Sequence, residues 1–222
     1  MRKLTGAVFL SLDGVMQAPG GPTEDPSGGF RFGGWTFPFF DESASGPMGK
    51  FLEKPDYDLL LGKRTYDIFS AYWPYNQDSP IGSRFQRINK YVLTHFDQPL
   101  EWENSSKIAG DTAEAVSELK RTPGRDLLIQ GSSTIYVPLL GAGLIDRLIL
   151  MTFPVVLGTG KRIFDGSQKP GSLKLVDSFV SDKGVVFATY EPAGEVPIGS
   201  FETKAPSEAE LERREKWASA DT

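Results

Sequence analysis

The chain has 222 residues, 39% hydrophobic and 24% charged, which is enough apolar side chain for one sizeable core and reads as one domain. A net charge of −5 argues against nucleic acid as a main partner. The absence of cysteine excludes disulfides and thiol catalysis, and a single histidine, His95, cannot complete a zinc site, so no metal is expected.

The N-terminal segment MRKLTGAVFLSLDG has only a short apolar part and carries Asp13, so it reads as a first strand and not as a signal peptide. No apolar run approaches the ~20 residues needed to span a bilayer. No membrane partner is expected, and the chain reads as a soluble cytoplasmic protein. Asp13 and Gly14 form a turn signal where the first strand opens into a loop. A carboxylate there can also bind a substrate amide or help position a proton.

Residues 17 to 50, rich in Gly, Pro and aromatic residues, read as a long irregular loop and then a helix. A structureless loop beyond ~15 residues in a compact domain is usually a functional lid or disordered. Phe30, Phe32, Trp35, Phe37, Phe39 and Phe40 argue against disorder, so the loop is expected to cover an active site. Its rings either stack on a planar heteroaromatic substrate or cover a sheet edge or subunit interface. Asp41 and Glu42 suit the dipole at a helix start, as caps or as acids.

In YDLLLGKRTYDIF, residues 57 to 69, a Leu59-Leu60-Leu61 strand meets Gly62, and Lys63, Arg64 and Thr65 then open a short helix. The two cations are either phosphate contacts or surface charges that prefer water. Tyr91-Val92-Leu93 is a third strand ending in Thr94-His95. Residues 126 to 165 contain one strand-helix-strand unit. Leu127-Leu128-Ile129 is a buried strand, and Gly131, Ser132, Ser133 and Thr134 turn into a helix carrying Ile135, Leu139 and Leu140. Gly141 and Gly143 end that helix, and Leu148-Ile149-Leu150-Met151 is the next strand. The glycine turn is either a helix cap or a phosphate seat made by free N–H groups and the helix dipole. Three polar strand ends can thus line one nucleotide site.

Residues 155 to 162, VVLGTGKR, form a glycine- and cation-rich turn. Residues 173–180 and 185–190 flank Asp182-Lys183-Gly184 as a terminal antiparallel hairpin. Beyond Pro192 the composition shifts, so residues 1–192 are expected to form the domain and 193–222 an extension with a short charged helix. Ser207 and Glu210 form a capping box for that helix, and Leu211 and Trp217 are available to dock it.

SLDGVM at 11 to 16, LLLGKRTYDIF at 59 to 69, KYVLTH at 90 to 95, LLIQGSSTIY at 127 to 136 and GLIDRLILMTFPVVLGTGKRIF at 143 to 164 occur in the order of a known family. Together they resemble the dihydrofolate reductase superfamily, specifically the group built like the reductase domain, RibD C-terminal-like, of the bifunctional riboflavin-biosynthesis enzyme. The resemblance implies a three-layer α/β/α fold with a mixed, mostly parallel sheet, closed by the C-terminal hairpin. It also implies an NADPH site across the carboxyl ends of the strands. Hydride transfer to a pyrimidine- or pterin-like molecule is the implied chemistry, as in 5-amino-6-(5-phosphoribosylamino)uracil reductase. A nucleotide-binding protein on the same fold without turnover is the alternative.

By position, Lys63, Arg64 and Thr65 would contact the pyrophosphate and 2′-phosphate, Thr94 and His95 would flank adenosine, and Gly131, Ser132, Ser133 and Thr134 would cradle phosphate. The 155–162 turn would close over the cofactor. Trp35 and Asp41 match the group's pattern of Trp followed by an acid and, with Asp13, are the substrate-side candidates. Folate reductases have Gly-Gly where this chain has Gly131-Ser132, and no carboxylate here is matched to their buried acid. Folate reduction is therefore not the expected activity. With no cysteine and a single histidine, the chain lacks the zinc deaminase half of the riboflavin enzyme, so a stand-alone reductase is expected. Exposed sheet edges and the aromatic loop favour a homodimer.

Overall fold

The computed structural model describes residues 1–52, 56–166, 168–201 and 205–220. Eight strands form one sheet: β1 (Leu4–Ser11), β2 (Tyr57–Gly62), β3 (Lys90–Leu93), β4 (Ser105–Ile108), β5 (Asp126–Gln130), β6 (Arg147–Phe153), β7 (Leu173–Val180) and β8 (Val186–Pro192). Their order is β4-β3-β2-β5-β1-β6-β8-β7. The first six run parallel, while β8 is antiparallel to β6 and β7 to β8. The sheet is mixed and mostly parallel, and the terminal hairpin closes one end of it.

Strands covered on both faces read as unbroken apolar runs, because neither side chain direction reaches water. In β2 all six residues are buried. One of them is Asp58, whose charge is matched inside the protein by Arg2, with Nη2 2.6 Å from Oδ2. Alternate residues of each strand feed two separate cores. Leu59, Leu61, Leu128, Met151 and Phe153 face one cluster, which takes in Tyr66 of α2 (Lys63–Tyr72) and Phe85 of α3 (Pro80–Arg87). Ala44 of α1 (Glu42–Leu52) joins that cluster. Leu4, Val8, Leu60, Leu127, Ile129 and Leu148 face the other, with Val116 of α4 (Thr112–Arg121) and Ile135, Tyr136 and Leu139 of α5 (Ser133–Gly141). This is a three-layer α/β/α arrangement.

The apolar patterning gives no sign of β4, whose sequence Ser-Ser-Lys-Ile is that of a short polar edge strand. Helix α4 does carry a signal: the Asp111 carboxylate accepts the amide N–H of Ala113 and Glu114 and so caps the helix. After Pro192 the described chain contains α6 (Glu208–Ala220). The Ser207 hydroxyl accepts the Glu210 amide at 3.3 Å, half of the expected capping box. Leu211 and Trp217 are exposed, at 48% and 63%. Among the described residues no helix is long and apolar enough to cross a membrane.

Candidate functional site

A cleft of about 750 Å³ opens at the carboxyl ends of β1, β2, β3 and β5. Crossover helices that start beside parallel strands turn their N–H groups toward this edge, so an α/β sheet presents its ligand site here. Two such corners meet in this chain. The Ser132 hydroxyl accepts the Gly62 amide at 3.0 Å and lies 2.6 Å from the Thr65 hydroxyl. One side chain therefore ties the β2–α2 corner to the β5–α5 corner. The approach requires glycine at position 62, since a Cβ there would fall 2.5 Å from the Ser132 oxygen. Gly131 (φ 94°) and Ser132 (φ 66°) both take left-handed backbone, which costs a serine about 1–2 kcal/mol. Because the Ser132 hydroxyl is used across the cleft, no side chain caps α5, and none caps α2. Both helix starts are open to an anion.

Cations surround these two starts. Lys63 bonds Asp67 on the next turn of α2 at 2.7 and 2.9 Å. Arg64 reaches across to Asp25, with Nη1 at 2.9 and 3.1 Å from the two carboxylate oxygens, and to the Ser27 hydroxyl at 2.8 Å. Lys161, from the turn after β6, meets the same Asp25 and Ser27 at 2.5 and 2.9 Å. Gln17 fastens this segment from beneath. Its Nε2 donates to the Asp25 and Ser27 carbonyls at 3.0 and 2.9 Å, and its Oε1 accepts the Lys161 amide at 3.1 Å.

All nine expected cofactor-side residues, Lys63, Arg64, Thr65, Thr94, His95, Gly131, Ser132, Ser133 and Thr134, line this one cleft. Thr94 is buried at the end of β3, its hydroxyl accepting the Phe96 amide, and His95 beside it is exposed. The sequence reading missed Gln17, Asp25, Ser27 and Gln130 and left Lys161 as a turn residue. The Asp25–Arg64–Lys161 group has no sequence signal, because its members lie far apart in the chain. Gln130 ends β5 facing the cleft, and its Oε1 is buried without a partner among the described residues. A buried acceptor without a donor is costly, which suits a position meant to receive one from a ligand.

The three substrate-side candidates lie outside the cleft, each held by structural partners. The Asp13 carboxylate accepts from the Ser11 hydroxyl at 2.6 Å and the Leu157 and Gly158 amides at 3.0 and 2.8 Å, and pairs with Arg162 at 3.1 Å. These bonds, that from Ser11 foremost, hold its pKa well below the usual carboxylate range. Trp35 is buried, donating to the Gln17 carbonyl at 2.8 Å, with its ring edge-on to Phe153 at 5.4 Å. Asp41 accepts from the Ser43 hydroxyl and the Ala44 amide at the start of α1, and from the Lys183 amide of the terminal hairpin.

Aromatic residues of the loop are packed in a similar way. Trp35, Phe39 and Phe40 gather edge-on around Phe153 as an extension of the core. The part of the loop that reaches the cleft carries no aromatic ring: Gln17, Glu24, Asp25 and Ser27 line it together with Ala18 and Pro19.

Among the described residues no three His, Cys, Asp or Glu side chains are grouped to hold a metal ion. The donor set instead suits a phosphate-bearing organic ligand: two open helix starts, three cations and a tight glycine corner. The mixed α/β/α fold with this cleft at its strand ends is that of the dihydrofolate reductase-like class of α/β proteins.

Within that class, a family model described as the RibD C-terminal domain matches residues 2–187, and the chain belongs to that family. The uncharacterized protein YyaP of Bacillus subtilis (strain 168) is 26% identical over 198 residues, covering 85% of this chain and 94% of its own. Among solved structures, a protein of Shewanella sp. PV-4 provisionally assigned to riboflavin biosynthesis superposes with a TM-score of 0.60 at 20% identity, over 86% of this chain and 99% of its own. Enterococcus faecalis dihydrofolate reductase, solved with NADP(H), superposes with a TM-score of 0.54 at 17% identity, over 86% and 96%. These two likenesses concern the fold.

Proposed function

We propose that this chain is an NADPH-dependent reductase that delivers a hydride to a pyrimidine- or pterin-like small molecule. The observation that carries the reading is the Ser132 junction, which brings two uncapped helix starts together in a cleft ringed by Lys63, Arg64 and Lys161. Uncapped N-termini favour a pyrophosphate, and the added cations favour a dinucleotide with an extra phosphate. The cleft volume falls within the ~300–1,000 Å³ typical of small-molecule sites.

When bound, the dinucleotide supplies the hydride, and the protein orients the reactants and excludes water. Lys63, Arg64, Thr65 and the 131–134 turn would hold the phosphates, with Thr94 and His95 on the adenosine side. Gln130 Oε1 would accept an N–H from a bound amide or heterocycle, a donor that pyrimidines and pterins carry. The same reading has the protein act as a homodimer joined through the exposed face of β7 and β8.

Binding without turnover remains the second reading, and one observation favours it. The carboxylates among the described lining residues are all engaged: Glu24 by the Gly20 and Gly21 amides, Asp25 by Arg64 and Lys161, Asp67 by Lys63. Titration with NADPH and NADH tests the cofactor. Arg64→Ala is expected to weaken NADPH about tenfold or more and NADH little, by loss of one charge-assisted contact. Equal weakening would remove the 2′-phosphate role from Arg64. Multiple-turnover oxidation of NADPH with pyrimidine or pterin acceptors then separates the two readings.

A further inference from the structure

The contact between the polar loop and the cations of the cleft is built like a ligand site that is already filled. Asp25 is 11% exposed, and around its carboxylate converge a guanidinium from α2, an ammonium from the turn after β6 and the Ser27 hydroxyl. Burial opposes the charge of Asp25, but hydrogen bonds from Lys161 and Ser27 outweigh it and hold the pKa at about 2. The carboxylate is therefore a permanent anion at neutral pH. Ordinary surface ion pairs join two mobile side chains. Here Gln17, itself 4% exposed, fixes the backbone of residues 25 and 27 and that of Lys161, so the anion is held in register with its cations.

Two cations and a hydroxyl within 2.5–3.1 Å of one carboxylate form the donor set that also binds a phosphate group, and all four residues line the cleft. We propose that Arg64, Lys161 and Ser27 are a phosphate seat filled by Asp25 as a built-in competitor, so that a phosphate-bearing ligand binds by displacing the carboxylate and unclasping residues 17–27. This inference rests on the nucleotide reading of the cleft. A phosphate monoester carries about −1.5 to −2 charge at neutral pH against −1 for the carboxylate, and so favours the exchange. The affinity observed for such a ligand is then lower than the seat alone would give, by the fraction of molecules in which the seat is open. The clasp discriminates as well: a ligand with no phosphate for the seat leaves the loop strapped down.

Asp25→Asn removes the competing charge and keeps an acceptor oxygen for Ser27. Calorimetry with inorganic pyrophosphate, NADPH and NADH, on wild type, Asp25→Asn and Lys161→Met, reads the result. The expected outcome is pyrophosphate and NADPH binding about tenfold tighter in Asp25→Asn and weaker in Lys161→Met than in wild type. A gain confined to NADPH and pyrophosphate assigns the seat to the 2′-phosphate, and a gain shared by NADH assigns it to the dinucleotide bridge. Hydrogen exchange provides a readout independent of affinity: amides of residues 17–27 should exchange faster in unliganded Asp25→Asn, and in wild type with NADPH, than in unliganded wild type. If Asp25→Asn weakens pyrophosphate and NADPH alike while its melting temperature is unchanged, Asp25 assists binding and the proposal falls. If wild type and Asp25→Asn bind NADPH equally, the seat falls and the reductase reading stands. If neither binds NADPH but Asp25→Asn gains affinity for pyrophosphate, the seat stands and the dinucleotide reading falls.

Discussion

Asp13, a substrate-side candidate in the sequence, makes a set of architectural bonds in the fold. Its neighbourhood was legible: the Asp-Gly turn is there, with Gly14 at φ 79° and its amide on the Ser11 carbonyl. The partners that define its role were not, because Leu157, Gly158 and Arg162 lie some 145 residues away. The folded-state pKa is depressed, so Asp13 contributes stability at any pH above its unfolded value near 3.8. That contribution is lost as pH falls through the lower folded value. Asp13→Asn is therefore expected to lower the melting temperature at pH 7 and to flatten the loss of stability on acidification, with the two proteins converging at low pH. Melting curves from pH 2 to 7 check this, and parallel curves would show that the carboxylate contributes no charge-dependent stability. Trp35 and Asp41 likewise make structural contacts, as a core ring and at the start of a helix.

Among elements, the two glycine corners are where sequence and structure agree most closely. Apolar runs broken by Gly62 and Gly131 were readable as buried strands turning into helices, because parallel strands lack the polar alternation that hides a strand. What could not be read is that the corners touch. The substitution of serine for a second glycine, which seemed to weaken the resemblance to folate reductases, is the residue that joins them. The strain of a left-handed serine is offset by two hydrogen bonds of its hydroxyl, to Gly62 and Thr65.

Ser132→Ala keeps the strain and loses both bonds, so it is expected to destabilise the fold by about 1–3 kcal/mol. Ser132→Gly loses the bonds but relieves the strain, and should cost less. Urea denaturation of the pair decides it: an alanine variant as stable as the glycine variant would mean that the left-handed conformation stores no strain. Of the other elements, β4 escaped the sequence because four half-polar residues carry no periodicity. The packing of α4 through Val116 and its Asp111 cap were within reach of the pattern and went unread.

At the scale of the molecule, the sheet has one guarded edge and one bare one. Strand β4 is short and polar, which discourages pairing. Strand β7 is eight residues long and exposed throughout, with Leu175, Val176, Phe179 and Val180 at 50%, 42%, 39% and 59%. Beside it Val176, Phe179 and Phe187 wall a groove of about 990 Å³ whose lining carries Lys3 and Arg147 together with Asp126, Asp146, Asp177 and Glu191. Exposed apolar side chains along an unpaired edge strand call for a partner. A lining of both signs matches a second copy of itself, because a two-fold axis sets each patch against its own image and mixed charges then pair with their opposites. The expected mass in solution is therefore twice 24.4 kDa at micromolar concentration. Val176→Glu with Phe179→Glu should return the monomer without loss of helical signal, since both side chains are exposed. Sedimentation velocity reads this directly. A wild-type monomer at tens of micromolar would assign the β7 face to some other protein, while the cleft at the far ends of the strands keeps its architecture in either case.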